Sequence, residues 1–161
     1  MSTLGIRSAK PADLSAIEAI ENRCFHASRR SSRRSLKHSL HSPTQSVWVA
    51  VGRMDGAAQV AGSMTLYHYR LSIRIYSLAV LPAFRGTGTG RQLVQRAIAL
   101  ARETGRVSVT LEADRRNKVL TGWYEQFGFE VDRVLKDYYS PGRHAVRMRL
   151  SLSEGRSDGD S

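Results

Sequence analysis

The chain has 161 residues, 41% of them hydrophobic, and its 25 basic side chains outnumber 14 acidic ones for a formal net charge of +11. That length suits one domain with a sizeable core, and no stretch of about 18 apolar residues offers a membrane span. Lys10 and Asp13 interrupt the region where a secretory signal needs an apolar run, and Cys24 is the single cysteine, which excludes an intramolecular disulfide; the chain reads as cytoplasmic.

An apolar start ending at Ile6 precedes Pro11-Ala12-Asp13-Leu14, which opens a helix with Leu14, Ile17, Ile20 and Cys24 on one side. Cys24 on that face is expected to be a buried core thiol. Arg29, Arg30, Arg33, Arg34 and Lys37 then fall within nine residues, interleaved with serines, where the pattern predicts a second helix around 32–41 closed by Pro43. The run is either a solvated helix face or a patch for a polyanion such as RNA or an acidic peptide. Aromatic residues do not interleave with it, which weighs against stacking on single-stranded nucleic acid.

Residues 47–51 read as a strand, Asp55-Gly56 lies in the connection after it, and 60–69 returns as the second arm of a hairpin. A third strand over 73–80 ends at a glycine-dense turn. Beyond Gly90 the positions Leu93, Val94, Ala97, Ile98 and Ala101 step at helical spacing, Gly105 ends that helix, and 107–113 resumes strand alternation. Asn117 can cap a further helix whose Val119, Leu120, Trp123, Tyr124 and Phe127 share a face, with Gly128 as its left-handed stop. Closing strands cover 129–135 and 144–152, the latter with Val146, Met148 and Leu150 inward and Arg147 and Arg149 outward. Residues 153–161 are polar and without an apolar anchor, so a disordered tail is expected after a single domain over 1–152. The element order implies an α/β fold with a sheet of mixed direction.

The turn Arg85-Gly86-Thr87-Gly88-Thr89-Gly90 joins a strand to a helix, a setting in which glycines let the main chain approach a ligand and the helix N-terminus favours an anion. It lacks the Gly-Lys-Ser/Thr of a nucleoside-triphosphate loop, and its glycine spacing differs from the dinucleotide fingerprint. Glu112, at the end of its strand and opposite in facing to Val107, Val109 and Leu111, is either a carboxylate open to a cleft or a surface residue paired with Arg115 or Arg116. Tyr124, among apolar neighbours, reads by itself as a packing tyrosine with a satisfied hydroxyl. Histidines at 26, 38, 41, 68 and 144 form no convincing ligand set.

The segment Val80-Leu81-Pro82 followed by Arg85-x-x-Gly88-x-Gly90 resembles the pyrophosphate turn of the GNAT N-acetyltransferases. Leu111-Glu112-Ala113-x-x-x-Asn117, Trp123-Tyr124-Glu125-x-Phe127-Gly128-Phe129-Glu130, Asp137-Tyr138-Tyr139 and Gly142-x-x-Ala145-x-x-Met148 are similar to the RimI-type branch, the ribosomal-protein alanine N-terminal acetyltransferases. The resemblance covers roughly residues 4–152. It implies a single GNAT domain, a mixed, mostly antiparallel central sheet flanked by helices, with acetyl-CoA as cosubstrate and no metal.

By that likeness Arg85, Gly86, Thr87, Gly88, Thr89 and Gly90 would hold the diphosphate, main-chain groups around Leu78, Ala79 and Val80 would take the acetyl and pantetheine groups, and Asn117 and Tyr124 would touch CoA. Glu112 would be general base on the acceptor amine and Tyr124 the acid for the thiolate. Tyr138 and Tyr139, with the loop from Phe25, would hold the acceptor. Apart from the likeness, the charge of Arg29, Arg30, Arg33, Arg34 and Lys37 suits an acidic or ribosomal partner. Two departures bear on the acceptor. Phe25-His26-Ala27-Ser28-Arg29-Arg30 stands where that branch carries Pro-Trp, and Gly142-Arg143-His144-Ala145 replaces Gly-Glu-Asp-Ala, reversing the local charge. The expected activity is acetylation of a protein N-terminal amine; a small-molecule or lysine amine, or an inactive RNA- or ribosome-docking module, are the alternatives.

Overall fold

The computed structural model describes residues 2–152. Its elements are β1 (Ser2–Ser8), α1 (Leu14–Cys24), α2 (Arg33–His41), β2 (Gln45–Met54), β3 (Ala57–His68), β4 (Ser72–Val80), α3 (Thr89–Glu103), β5 (Ser108–Asp114), α4 (Lys118–Glu125), β6 (Glu130–Ser140) and β7 (Arg143–Ser151). Seven strands form one sheet in the order β1-β2-β3-β4-β5-β7-β6. The pairs β1/β2, β2/β3, β5/β7 and β6/β7 are antiparallel, whereas β4 and β5, connected through α3, are parallel. The expected α/β architecture with a mixed, mostly antiparallel sheet is therefore present. Two compact units make up the chain: residues up to His68 with Tyr76–Ile98, and Tyr69–Ile75 with the described residues from Ala99 onward. The expected tail over 153–161 lies outside the described residues.

In the first unit Arg7 donates to both carboxylate oxygens of Asp13, at 2.7 and 3.1 Å, and the Lys10 N–H adds a third bond at 2.7 Å. These bonds fix the short 3-10 turn Pro11–Asp13 that leads into α1 and hold the Asp13 carboxyl below the usual range, the Arg7 hydrogen bond being the largest cause. Helix α1 then buries Leu14 and Ile17, and α2 buries Leu36, against Val47 and Val49 of β2. Full burial of each such side chain is worth roughly 1.5–3 kcal/mol. Ser32 caps α2 by accepting from the Ser35 N–H at 3.1 Å.

Asp55 and Gly56 both take positive φ, 53° and 80°, the pairing a type I′ hairpin requires, which fixes the β2/β3 register. Gly52 and Gly62 have another use. A Cβ on Gly52 would run into the buried ring of Phe84, and one on Gly62 would lie 2.9 Å from the Ala79 carbonyl oxygen. Two strands thus omit a side chain so that Phe84 and the end of β4 can pack closely.

In the second unit the inner face is built by Ile73 and Ile75 of β4, Val109, Leu111 and Ala113 of β5, and Val146 and Met148 of β7. Val107 is exposed, because β5 begins one residue later. Val119 is also exposed, contrary to the shared face expected for it: α4 starts only at Lys118, and its first turn points Val119 away while Thr121 and Tyr124 turn inward. Gly128, at φ 103°, ends the helical segment, its N–H donating to the Glu125 carbonyl at 2.9 Å.

Candidate active site

The first unit presents the glycine turn. Phe84, fully buried, anchors the chain after β4, and the Arg85 N–H donates to the Pro82 carbonyl at 3.2 Å. Gly86 and Gly88 have φ of 79° and 88°, a region in which only glycine rests without strain. The Gly88 carbonyl accepts the first helical bond of α3, from the Gln92 N–H at 3.0 Å. From Gly86 to Gly90, no N–H donates to a main-chain carbonyl outside the regular elements among the described residues. Thr87 donates its hydroxyl to the Phe84 carbonyl, and its oxygen lies 2.9 Å from that of Thr89, so side chains brace the turn from within. N–H groups gathered at a helix N-terminus are suited to an anion.

Arg85 folds back toward the strand. Its Nε donates to the Val80 carbonyl at 3.0 Å and its Nη2 lies 3.6 Å from the Cys24 sulfur, which itself donates to the Val80 carbonyl at 3.4 Å. Cys24 is therefore half-buried beside an arginine, a correction to the core thiol its helical position suggests; α1 ends at this residue, so its side chain reaches β4 instead of continuing the apolar stripe. Leu78 and Val80 are half-buried and Ala79 is buried on β4. Phe25 closes α1 and is half-buried, with its carbonyl accepting from Arg30 Nε at 2.9 Å.

A buried carboxylate that the sequence reading passed over lies in this unit. Glu21 of α1 is 1% exposed and accepts from the Ser31 N–H at 2.9 Å and the Ser77 hydroxyl at 3.3 Å. Burial raises its pKa against the opposing effect of these two donors. The residue interrupts an otherwise apolar helix face beside Ile17 and Ile20, a signal that could have marked it.

The second unit contains Glu112, Asn117, Tyr124, Tyr138 and Tyr139. The Glu112 side chain is only 5% exposed, and its partners are Arg74 Nε on Oε1 at 2.7 Å and Arg147 Nε on Oε2 at 2.9 Å. It is neither an open carboxylate nor paired with Arg115 or Arg116. Arg147 stands directly across the β5/β7 register from Glu112, and Arg74 approaches from the parallel neighbour β4. Neither pairing can be read without the strand order. One lone pair remains on each oxygen beyond these bonds.

Asp114 shapes the loop that follows, accepting from the Arg116 N–H at 2.9 Å and from Arg143 at 3.1 Å. Asn117 caps α4 as expected, its Oδ1 accepting from the Leu120 N–H at 3.0 Å, which leaves its amide NH₂ for other partners. Tyr124 is buried with its ring edge-on to Trp123 and Phe129, and burial pushes its phenol pKa well up. Tyr138 and Tyr139 pack edge-to-face at 5.0 Å, and the Tyr138 hydroxyl accepts from Arg74 Nη2 at 3.0 Å. The charge change at 143–144 is absorbed locally: Arg143 binds Asp114, and His144 Nδ1 accepts from the Asp137 N–H at 2.9 Å.

Among the described residues, no three His, Cys, Asp or Glu side chains gather in a way that would hold a metal ion. No helix of the described residues is long and apolar enough to cross a membrane.

The chain is similar to known proteins in sequence and in fold. N-alpha-acetyltransferase MAK3 of Arabidopsis thaliana is 38% identical over 82 residues, covering 51% of this chain and 43% of that protein. Peptidyl-lysine N-acetyltransferase YjaB of Escherichia coli is 33% identical over 89 residues, 55% of this chain and 52% of that protein. The chain spans about half the length of these curated relatives. In fold it is similar to the crystal structure of the ribosomal-protein-S18-alanine N-acetyltransferase from Escherichia coli, with a TM-score of 0.81 at 21% identity, over 97% of this chain and 98% of that one. Residues 14–129, well over half of the chain, match the acetyltransferase (GNAT) family model, and the chain belongs to that family.

Proposed function

We propose that this chain transfers the acetyl group of acetyl-CoA directly to a protein N-terminal α-amine. The observation that carries the reading is the turn from Gly86 to Gly90, whose main-chain donors and positive-φ glycines suit a diphosphate. A Cβ on Gly86 or Gly88 would meet nothing within 4 Å, so the space over the turn is open to such a group. The proposal treats residues 1–152 as one catalytic domain and places it in the cytoplasm, with its cosubstrate.

Acetyl-CoA supplies an activated thioester carbonyl and a thiolate leaving group. The chain's own groups would then do the following. N–H groups of Gly86, Thr87, Gly88, Thr89 and Gly90 hold the diphosphate, with Arg85 swinging from the Val80 carbonyl to join them. Main-chain groups at Leu78, Ala79 and Val80 orient the acetyl arm, and the Asn117 amide, its oxygen engaged in the helix cap, donates to CoA. Glu112 accepts the amine proton on a free lone pair of Oε1 or Oε2. The neighbouring guanidiniums also disfavour the ammonium form of the acceptor, which raises the fraction of neutral nucleophile. Tyr124 donates its phenolic proton to the departing sulfur; burial keeps it protonated through neutral pH, although a raised pKa makes it a weaker acid. Phe25, Tyr138 and Tyr139 line the acceptor's first residues.

A lysine side chain is the second reading, favoured by the likeness to a peptidyl-lysine N-acetyltransferase. Docking of an acidic or ribosomal partner through the basic segment rests on a reduced set. Arg30 is engaged by the Phe25 and Asn22 carbonyls and Arg33 by Glu18 at 2.8 Å, so exposed Arg34 and Lys37 would provide most of the attraction.

The experiment is acetylation of peptides that carry both a free α-amine and an internal lysine, with the acetyl group located by fragmentation mass spectrometry. Acetyl-CoA-dependent modification at the α-amine, lost in Glu112→Gln, is expected. Modification of lysine or of small amines alone would replace the acceptor, and no CoA release with any acceptor would overturn the activity.

A further inference from the structure

The face of β5 and β7 that bears Glu112 is cationic where it meets solvent. Glu112 lies beneath, 5% exposed, while the arginines that hold it are 20% (Arg74) and 25% (Arg147) exposed. Two guanidiniums on one carboxylate leave a formal charge of +1, and an incoming group reaches the cations first. Arg147 spends Nε on Glu112, which leaves its terminal nitrogens as a planar fork. Arg74 spends Nε on Glu112 and Nη2 on the Tyr138 oxygen and is also held by Tyr69, so it serves this face chiefly as a fixed charge; a phenol that accepts from Nη2 keeps its own proton for an acceptor group beyond, and Tyr138 is 43% exposed.

Neighbouring acids do not cancel this charge. Asp114 is engaged by Arg143 at 3.1 Å and Asp132 by Arg149 at 3.4 Å. On the outer side, Arg133 of β6 stands opposite Arg147 in register, a like-charge pair that costs stability and that an anion between them would relieve.

We propose that Arg74, Arg147 and Tyr138 form a carboxylate-binding subsite, so that the acceptor is a peptide with Asp or Glu among its first two residues. The inference rests on the N-terminal acetyltransferase reading and deepens it. Arg74 and Arg147 then have two tasks: they orient Glu112 and they select the acceptor.

The test is kcat/KM for matched peptides that differ only in Glu, Gln or Lys at the first or second position. The Glu peptide is expected to exceed the Gln peptide by about tenfold or more, with Lys lowest, the difference residing in KM and shrinking as salt rises. In Arg147→Gln the Glu/Gln ratio should fall toward one, and Arg147→Lys should restore part of it. Arg133→Gln, at an exposed position, should lower the ratio by less. The wild-type ratio decides the matter even if Arg147→Gln does not fold. Equal rates for the Glu and Gln peptides, or a preference for Lys, with α-amine acetylation intact, would overturn this inference alone. Absence of acetylation on every peptide would overturn both readings.

Discussion

Tyr124 and Glu112 answer to the same two measurements, turnover and cosubstrate affinity. Replacing Tyr124 with Phe keeps the edge-on packing against Trp123 and Phe129 while removing the proton, so kcat should fall by roughly 100-fold with little change in acetyl-CoA affinity; stopped-flow turnover beside calorimetric binding checks this. If Glu112 takes the amine proton, Glu112→Gln should lower kcat by at least ~100-fold with acetyl-CoA affinity unchanged; turnover near that of the wild type would assign it to orienting Arg74 and Arg147. Gly88 is a position where a Cβ would meet no protein atom within 4 Å, so a side chain there enters the space assigned to the diphosphate. Its φ of 88° means that Gly88→Ala costs about 1–2 kcal/mol of strain and tilts the N–H donors, and weaker CoA binding should accompany a small loss of stability. Glu21 gives a pH signature. Because burial raises its folded-state pKa above the unfolded value, its contribution is fully present below the unfolded pKa and is lost as pH rises through the folded one. In denaturant unfolding, the stability of the wild type relative to Glu21→Gln, whose amide can accept from Ser31 N–H and donate to the Ser77 oxygen, should therefore decline from acid toward neutral pH, the difference between the two removing the opposite slope that Asp13 contributes.

At the scale of elements, the turn depends on strands that do not belong to it. Gly52 of β2 vacates the space that the Phe84 ring fills, and Phe84 is the buried residue from which Arg85 and the glycines emerge. Gly52→Ala should lower stability by about 1–3 kcal/mol through overpacking and weaken CoA binding together with it, as urea unfolding and calorimetry would reveal. Periodicity placed the elements whose apolar stripe is buried, with Leu14 and Ile17 in α1, Leu93 and Ala97 in α3, and Val146 and Met148 in β7, whereas β6 runs on to Ser140, past the expected end at 135, and exposes Val131 and Val134. Asp55-Gly56 and Asn117 carried their turn and cap in their own chemistry. What could not be read was contact between elements distant in sequence. Arg74, Glu112 and Arg147 lie 38 and 35 residues apart and meet only because β4, β5 and β7 are neighbours. For the same reason Cys24 appeared as a core thiol, when the end of α1 hands it to Val80 and Arg85.

For the whole molecule, a net charge of +11 and a pI near 10.6 keep the protein far from neutrality in any physiological buffer. Such a chain gathers anions at long range, and the attraction weakens as salt shortens the Debye length from ~10 Å at 0.1 M to ~3 Å at 1 M. The charge serves three anionic groups in this account: the diphosphate of the cosubstrate, an acidic acceptor N-terminus and an acidic partner at Arg34 and Lys37. The first is central, since the acetyltransferase reading begins with the glycine turn. The most direct measurement is calorimetric titration, in the wild type and in Gly88→Ala, with acetyl-CoA beside acetylated pantetheine, which carries the thioester without the diphosphate and its nucleotide. Two charge-assisted hydrogen bonds from the turn are worth about 3–6 kcal/mol, so acetyl-CoA should bind at least ~100-fold more tightly, and Gly88→Ala should narrow the gap. Equal affinity for the two compounds, or no binding of acetyl-CoA, would contradict it.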